Sequence, residues 1–503
     1  MNRMPPQRPA RRAFLKAASG LTAYVLESVR TRAGDLPRNK DIPMARDNTA
    51  RIQPWTENPR YWQYRGQPVL LLGGSKTDHL FLLDDLKDHL DEMKGVGANY
   101  VRNTMSQREA PELKPHQLLP DGKFDLDQWN EDYWQRFANM LEWTAEREIF
   151  VQIEVWDRFD YAVRNWDGSP WNPRNNCNYT SEQSGLAQTY PESAFYQGQP
   201  FFLTVPKIES YNGAKSDLIR KFQQAFVDKM LSLSLPYGHV LYCMNNETST
   251  PAAWGQYWIE FIQAKAAAQA VTVCTTDMFD DAFEGAKAKN TSLIFDDFQH
   301  YMFADISQVN SRNYDDQHWN QLLTLLQLVN EHPRPSNHTK IYGGGYSTFG
   351  TGGPEDGIER FWRDILGGSA SARFHRARSG NGLNDLAKAC IQAARLLESR
   401  IKFWDITPHM ELLSDRAPNE AYVAAKLGES YAVYFTNSGA VGLDLTNAPG
   451  VYDITWISVS MGRVVESSAK GGYRLVDKTL EGGSIVTLNA PYKGGWLAAL
   501  VKQ

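Results

Sequence analysis

Apolar residues follow two rhythms along this chain. Over residues 67–374, short unbroken apolar runs alternate with segments whose apolar positions recur every three to four residues. The run 67–72 ends at Gly73-Gly74 and reads as a buried strand. Leu86, Leu90 and Met93 follow at helical spacing, with Gly95 as a C-terminal cap. The same alternation places strands at 98–102, 149–155, 239–244, 271–275, 292–295, 340–343 and 369–374. Helical patterns separate most of them, such as Phe137, Met140, Leu141 and Ala145, or Leu218, Ile219, Phe222, Phe226 and Met230. Eight strand–helix alternations predict an α/β fold, a (β/α)8 TIM barrel over 50–407. Beyond about residue 407 the period becomes that of short strands, at 431–435, 451–456, 484–488 and 496–500. Asn437-Ser438-Gly439, Pro449-Gly450 and Gly471-Gly472 punctuate them. A small all-β sandwich over 408–503 is expected there, supporting the barrel.

Residues 1–34 read as an address. Five Arg or Lys and no acid occupy residues 1–16, and an uncharged stretch follows at 17–26. Arg11-Arg12 before Phe14-Leu15-Lys16 resembles a twin-arginine export signal, so an extracytoplasmic location, periplasmic or secreted, is expected. No uncharged apolar run reaches 18 residues, so no membrane span is expected. The formal charge of −5 argues against a nucleic-acid partner. Cys177, Cys243, Cys274 and Cys390 lie far apart without a CxxC, which indicates neither a zinc ribbon nor a disulfide framework. The chain carries 15 Trp, 23 Tyr and 22 Phe, a surplus suited to stacking on sugar rings.

In such barrels the chemistry sits at the C-terminal ends of the strands. The fourth strand ends Asn245-Asn246-Glu247, and a carboxyl there can protonate a departing glycosidic oxygen. An Asn-Glu pair in this place resembles the acid/base motif of glycoside hydrolase clan A. By that resemblance Asn246 holds a sugar hydroxyl, Arg102 lies beside the nucleophile, and His300 and Tyr301 face the sugar. Longer stretches resemble the apiosidase-like catalytic family of glycosidases. They are Asn58 to Trp62, Gly73-Gly74-Ser75, residues 166–176 (WDGSPWNPRNN), residues 357–363 and residues 372–376. The last 95 or so residues resemble that family's tail, a collagen-binding-type domain. Trp156, Trp166, Trp171, Tyr301 and Tyr346 are candidate sugar platforms. Arg158, Arg373, His375 and Arg376 add positive charge to the rim, which suits an anionic carbohydrate.

One feature departs from the clan. Its nucleophilic Glu belongs after strand seven, yet residues 340–346 read Lys-Ile-Tyr-Gly-Gly-Gly-Tyr, without a carboxylate. Glu355 on the following loop is one substitute. Otherwise a rim acid acts as base toward water, and inversion is the favoured outcome. Asp157 and Asp297 are the first candidates for that base, with Glu154, Asp277, Asp280 and Asp296 behind them. No HExxH, GxSxG or phosphate loop occurs, and no cofactor is expected. Asp-rich stretches at 277–281 and 296–297 offer ligands of the kind a hard cation takes, but no metal site is assigned. The reading is therefore a glycosidase with Glu247 as general acid/base. A catalytically silent carbohydrate-binding barrel and a polysaccharide lyase are the alternatives. Sugar, linkage and oligomeric state are not legible.

Overall fold

The computed structural model describes residues 48–107, 113–161, 163–191, 199–344, 350–465 and 478–503. The export signal lies outside them, as do Tyr346 and Gly345. Eight short parallel strands form a closed ring: β1 (Leu71–Gly74), β2 (Tyr100–Thr104), β3 (Phe150–Asp157), β4 (Val240–Asn246), β5 (Thr275–Thr276), β6 (Ala304–Asp305), β7 (Ser336–Asn337) and β8 (Ser371–Phe374). Adjacent strands from β1 to β5 pair in parallel, β8 pairs with β1, and β6 with β7. A parallel bridge from Met278 to Asp305 joins the fifth and sixth strands. The Ala370 and Arg373 amides, donating to Ser336 and His338, join the seventh and eighth.

Helices pack outside: α1 (Leu86–Gly95), α2 (Glu131–Glu146), α3 (Gly213–Ser234), α4 (Ala252–Ala267), α5 (Asp315–Val329), α6 (Pro354–Leu366) and α7 (Asp385–Glu398). Helix α2 shows why. The Asn130 side chain caps the Asp132 amide, and Glu131 and Asp132 complement the positive end of the helix dipole. Tyr133, Phe137, Met140, Leu141 and Thr144 form its buried stripe. None of the described helices is long and apolar enough to cross a membrane.

Three expected strands fall elsewhere. Residues 292–295 lie in a short helix, Ser292–Asp296, because a brief apolar run has no period of its own to separate strand from helix. The sixth strand is instead Ala304–Asp305, so His300 and Tyr301 precede it. The seventh is Ser336–Asn337, ahead of Lys340, and the fifth is displaced to Thr275–Thr276. These strands are polar because they line a hydrogen-bonded barrel interior. Asp305 accepts from Gln152 at 2.7 Å and Thr339 at 3.0 Å, and Asn337 donates to Tyr100 at 3.0 Å.

The C-terminal part is two antiparallel sheets. Strands β9 (Ala421–Lys426), β10 (Ser430–Phe435), β12 (Val451–Ser458) and β14 (Trp496–Lys502) form one, in the order β9-β10-β14-β12. Strands β11 (Ala440–Asp444) and β13 (Ile485–Asn489) belong to the other. Val423, Val433, Phe435, Leu443 and Trp496 fill the space between them. The opposite face of the larger sheet, with Tyr422, Ala424, Tyr434 and Leu497, joins the barrel core. Tyr434 stacks on Trp362 of α6 at 5.6 Å.

Candidate active site

The C-terminal ends of the strands open into a cleft of about 400 Å³. Its anionic lining is Asp78 and Glu247, and its cationic lining is Arg102, Lys340, Arg376 and Arg378. Asn246, His375, Phe159 and Asn165 complete the wall.

Glu247 is placed by an irregularity in the backbone. Successive side chains of a strand point to opposite faces, yet Asn246 and Glu247 both line the cleft. Glu247 has φ +53°, in the left-handed region, which breaks the alternation and turns its carboxylate inward. The chain then resumes pairing, with the Thr248 amide donating to Met278 at 2.8 Å. The ammonium of Lys340 donates to Glu247 Oε1 at 2.7 Å and to Asn246 Oδ1 at 2.5 Å. The Tyr342 hydroxyl donates to the same Oε1 at 2.9 Å, and Arg158 lies 3.7 Å from Oε2. Burial opposes ionisation of Glu247, but Lys340 and Arg158 outweigh it and hold the carboxyl well below its ordinary range. A cation thus stands after β7, where the clan's nucleophile was expected.

Asp280, just past the fifth strand and outside the cleft lining itself, is a second carboxylate linked to Glu247. Arg158 joins it to Glu247, donating through Nη1 to Asp280 Oδ2 at 2.5 Å. The links of 3.7 and 2.5 Å across one guanidinium keep the two carboxylates no farther apart than roughly 9 Å. Burial raises Asp280, Arg158 lowers it, and the Glu247 charge raises it further, for a net upward shift. The two groups are pushed in opposite directions.

Beneath them, Arg102 anchors a buried network. It lies 2.5 Å from Glu154 and 3.3 Å from Asp78, and donates to Thr104 at 2.9 Å. Burial raises Glu154, and Arg102 only partly offsets it. Asp78 also lies 3.0 Å from Arg376 and 3.4 Å from His375, and the guanidinia of Arg102 and Arg376, with His375 beside them, overcome burial to hold it ionised. Burial lowers His375 to about 3. Arg373 is fully buried, bonded to Ser75 and to the Thr339 carbonyl. Asp277 rises to about 7 through burial, behind Asn245, which donates to it.

Of the residues singled out from sequence, Glu247, Asn246, Arg102 and His375 come together in the cleft, with Arg373 just behind. Asp157 is buried at the end of β3, where it accepts from the Phe159 amide, and does not line the cleft. Asp297 and His300 pair with each other at 2.7 Å on the outer layer, against Gln256 and Glu260 of α4. Tyr301 is wholly buried beside Phe279. Trp156 packs among Phe226, Trp254 and Trp258, and Trp171 among Phe201, Phe226 and His116. Trp156 and Trp171 are core rather than platforms. Trp166 is likewise buried, with its indole donating to Ala187.

Glu355 lies in the first turn of α6 and faces a groove shared with Tyr434 and Asn437 of the sandwich, away from the cleft. Gly343 is explained by packing. At φ +122°, a Cβ there would lie 2.5 Å from the Gly353 carbonyl oxygen. The acids at 277–281 do not converge. Asp281 accepts from the Asn290 and Thr291 amides, and the described residues hold no group of three side chains able to bind a metal ion. Sequence reasoning passed over Asp78, Lys340, Tyr342 and Arg378. Asp78 follows β1 and Arg378 follows β8, so correct strand ends are the signal that finds them.

No family model matches the chain, and no curated protein matches it. Solved structures do. A glycoside hydrolase family 5 protein of Bacteroides vulgatus superposes with a TM-score of 0.59 at 11% identity, over 90% of this chain and 93% of that one. A second structure, described as a glycoside hydrolase, gives 0.61 at 10% identity, over 90% and 97%. At these identities the likeness is one of fold: a parallel α/β barrel with antiparallel sheets after it.

Proposed function

We propose that this protein is a glycoside hydrolase of clan A type, nearest in motif to the apiosidase-like family, working in the cleft at the mouth of the barrel. The observation that supports this is Glu247. It follows β4 directly, sits on a strained backbone, and shares Arg158 with a second carboxylate whose proton affinity is shifted the other way. Two titratable groups driven apart by their surroundings are the usual basis of an acid and base assignment.

The expected general acid was Glu247, yet Lys340, Tyr342 and Arg158 stabilise its ionised form. Glu247 is therefore the base that takes a proton from water, and Asp280 the acid that gives one to the departing oxygen. Residues 338–353 contain no carboxylate, so a covalent intermediate on the strand-seven side has no nucleophile. Separations of about 5–5.5 Å suit retention and about 6.5–9.5 Å suit inversion, and the spacing limit allows either. The missing nucleophile favours inversion.

The test is proton NMR of the first-formed sugar on a panel of plant and algal glycans, with Glu247→Gln and Asp280→Asn alongside. Inverted product, and losses of roughly 10²–10⁴-fold in both folded variants, are expected. Retained configuration, or a Glu247→Gln variant with full turnover on a natural glycan, would refute the assignment.

A lyase is the second reading, because Lys340 and Tyr342 place an amine and a phenol beside Glu247. A β-elimination would remove the proton next to a uronate carboxylate while the glycosidic C–O bond on the adjacent carbon breaks, the departing oxygen taking up a proton and an unsaturated sugar remaining. Ultraviolet absorbance of the product separates it from hydrolysis.

A further inference from the structure

The charge lining the cleft is unevenly matched. Asp78 serves Arg102 and Arg376 at once, and Glu247 serves Lys340 and Arg158. Arg376 uses Nη1 on Asp78, while its Nε is buried without a hydrogen-bond partner. Arg378 is exposed on the cleft wall and has no ion pair among the described residues. Both guanidinia belong to the segment that follows β8, two residues apart. The rim cations expected from sequence are otherwise engaged. Arg373 is buried on Ser75 and Thr339, and Arg158 on Asp280.

A chain of net charge −5 repels anions at long range, so a guanidinium without an ion pair among the described residues, two residues from one that is only partly engaged, calls for a local partner in this cleft. Planar guanidinium donors match the oxygens of a carboxylate or a sulfate. The rest of the wall is polar, with Asn165 beside the single ring of Phe159, which suits a hydroxylated ligand. The volume falls within the usual range for a small-molecule site, about 300–1,000 Å³.

We infer that Arg376 and Arg378 form a subsite for an anionic sugar residue, a uronate carboxylate or a sulfate ester, adjoining the Glu247 centre. The inference rests on the glycosidase reading only in taking the ligand to be a sugar. Arg378 supplies the open donors, and Arg376 is held toward the same group by Asp78.

Calorimetric titration of the full-length protein tests this without requiring turnover. The probes are oligogalacturonides and their methyl esters, and sulfated galactan oligosaccharides and their desulfated forms. At least one charged probe should bind about tenfold more tightly than its neutral counterpart, as one charge-assisted hydrogen bond provides. The acid binding alone assigns a uronate, and the sulfated probe alone assigns a sulfate ester. Arg378→Gln should lose that tenfold preference with an unchanged thermal midpoint. Arg65→Gln, an exposed residue paired with Glu148, makes the same charge change and should keep it.

Neutral counterparts binding equally well, no charged probe binding, or an Arg378→Gln variant with its preference intact would each overturn the subsite. Charged sugars that bind but are never cleaved would count against the hydrolase while supporting the subsite. Cleavage of neutral glycans without charged-sugar binding would do the reverse.

Discussion

Lys340→Met is the substitution that most directly tests how Glu247 is held. Lys340 is about 1% exposed, and its ammonium lies 2.7 Å from the Glu247 carboxylate. At an effective dielectric constant near 20, that contact carries about 6 kcal/mol of attraction. Desolvation of both groups consumes part of it, and breaking such a pair from one side typically costs about 3–5 kcal/mol. Methionine keeps the volume and removes the charge. Arg158 at 3.7 Å is then the nearest cation, and burial, already the largest single influence on Glu247, is left opposed by that more distant charge and the Tyr342 hydroxyl.

In the wild type the depressed Glu247 contributes stability above its unfolded value near 4.5, and that contribution is lost only as pH falls through the folded value. In the variant the folded value rises. Activity that needs the ionised carboxylate should then fall away at a pH about two units higher or more. Once the folded value exceeds the unfolded one, the stability contributed by Glu247 is lost as pH rises through the folded value. The assays are initial rates across pH and thermal unfolding at pH 5 and pH 8. Carbon-13 NMR of labelled glutamate carboxyls gives a readout if turnover is lost. An unmoved acid limb and an unmoved Glu247 titration would show that Lys340 does not set the ionisation of Glu247.

Three further outcomes are expected. Gly343→Ala places a methyl group 2.5 Å from the Gly353 carbonyl oxygen at φ +122°, and should lower stability by about 1–3 kcal/mol by chemical denaturation, with an unchanged midpoint disproving the close-packing account. Removing residues 408–503 uncovers Trp362 and its neighbours on the barrel. Thermal unfolding should therefore lose its sharp transition along with activity, whereas a barrel that melts cooperatively but is inactive would place part of the site in the sandwich. Replacing Arg11 and Arg12 with Lys should strand the protein in the cytoplasm on fractionation, and normal export would remove the twin-arginine assignment.

Periodicity alone was enough for the barrel class and the change to an all-β tail. Burial of one face imposes a period of 2 or 3.6 wherever the interior is apolar. Leu86, Leu90 and Met93, or Val151 and Ile153, read correctly for that reason. The rule fails where the barrel interior is polar. Asn337 and Asp305 hydrogen-bond across the ring, Ser336-Asn337 carries no apolar signal and Asp305 interrupts the apolar run from Phe303 to Ile306, so the sixth and seventh strands were displaced and His300 with them. Position after β4 likewise singled out Asn246 and Glu247 from the chain alone.

Only the tertiary structure decided what surrounds Glu247. Lys340, Tyr342 and Arg158 lie 93, 95 and 89 residues from it along the chain, and closure of the ring brings them to one carboxylate. Proton affinity depends on distances of 3 to 4 Å and on burial. Linear spacing encodes neither. The same holds for the aromatic residues, where composition supplied the rings but packing against α3 and α4 turned Trp156 into core.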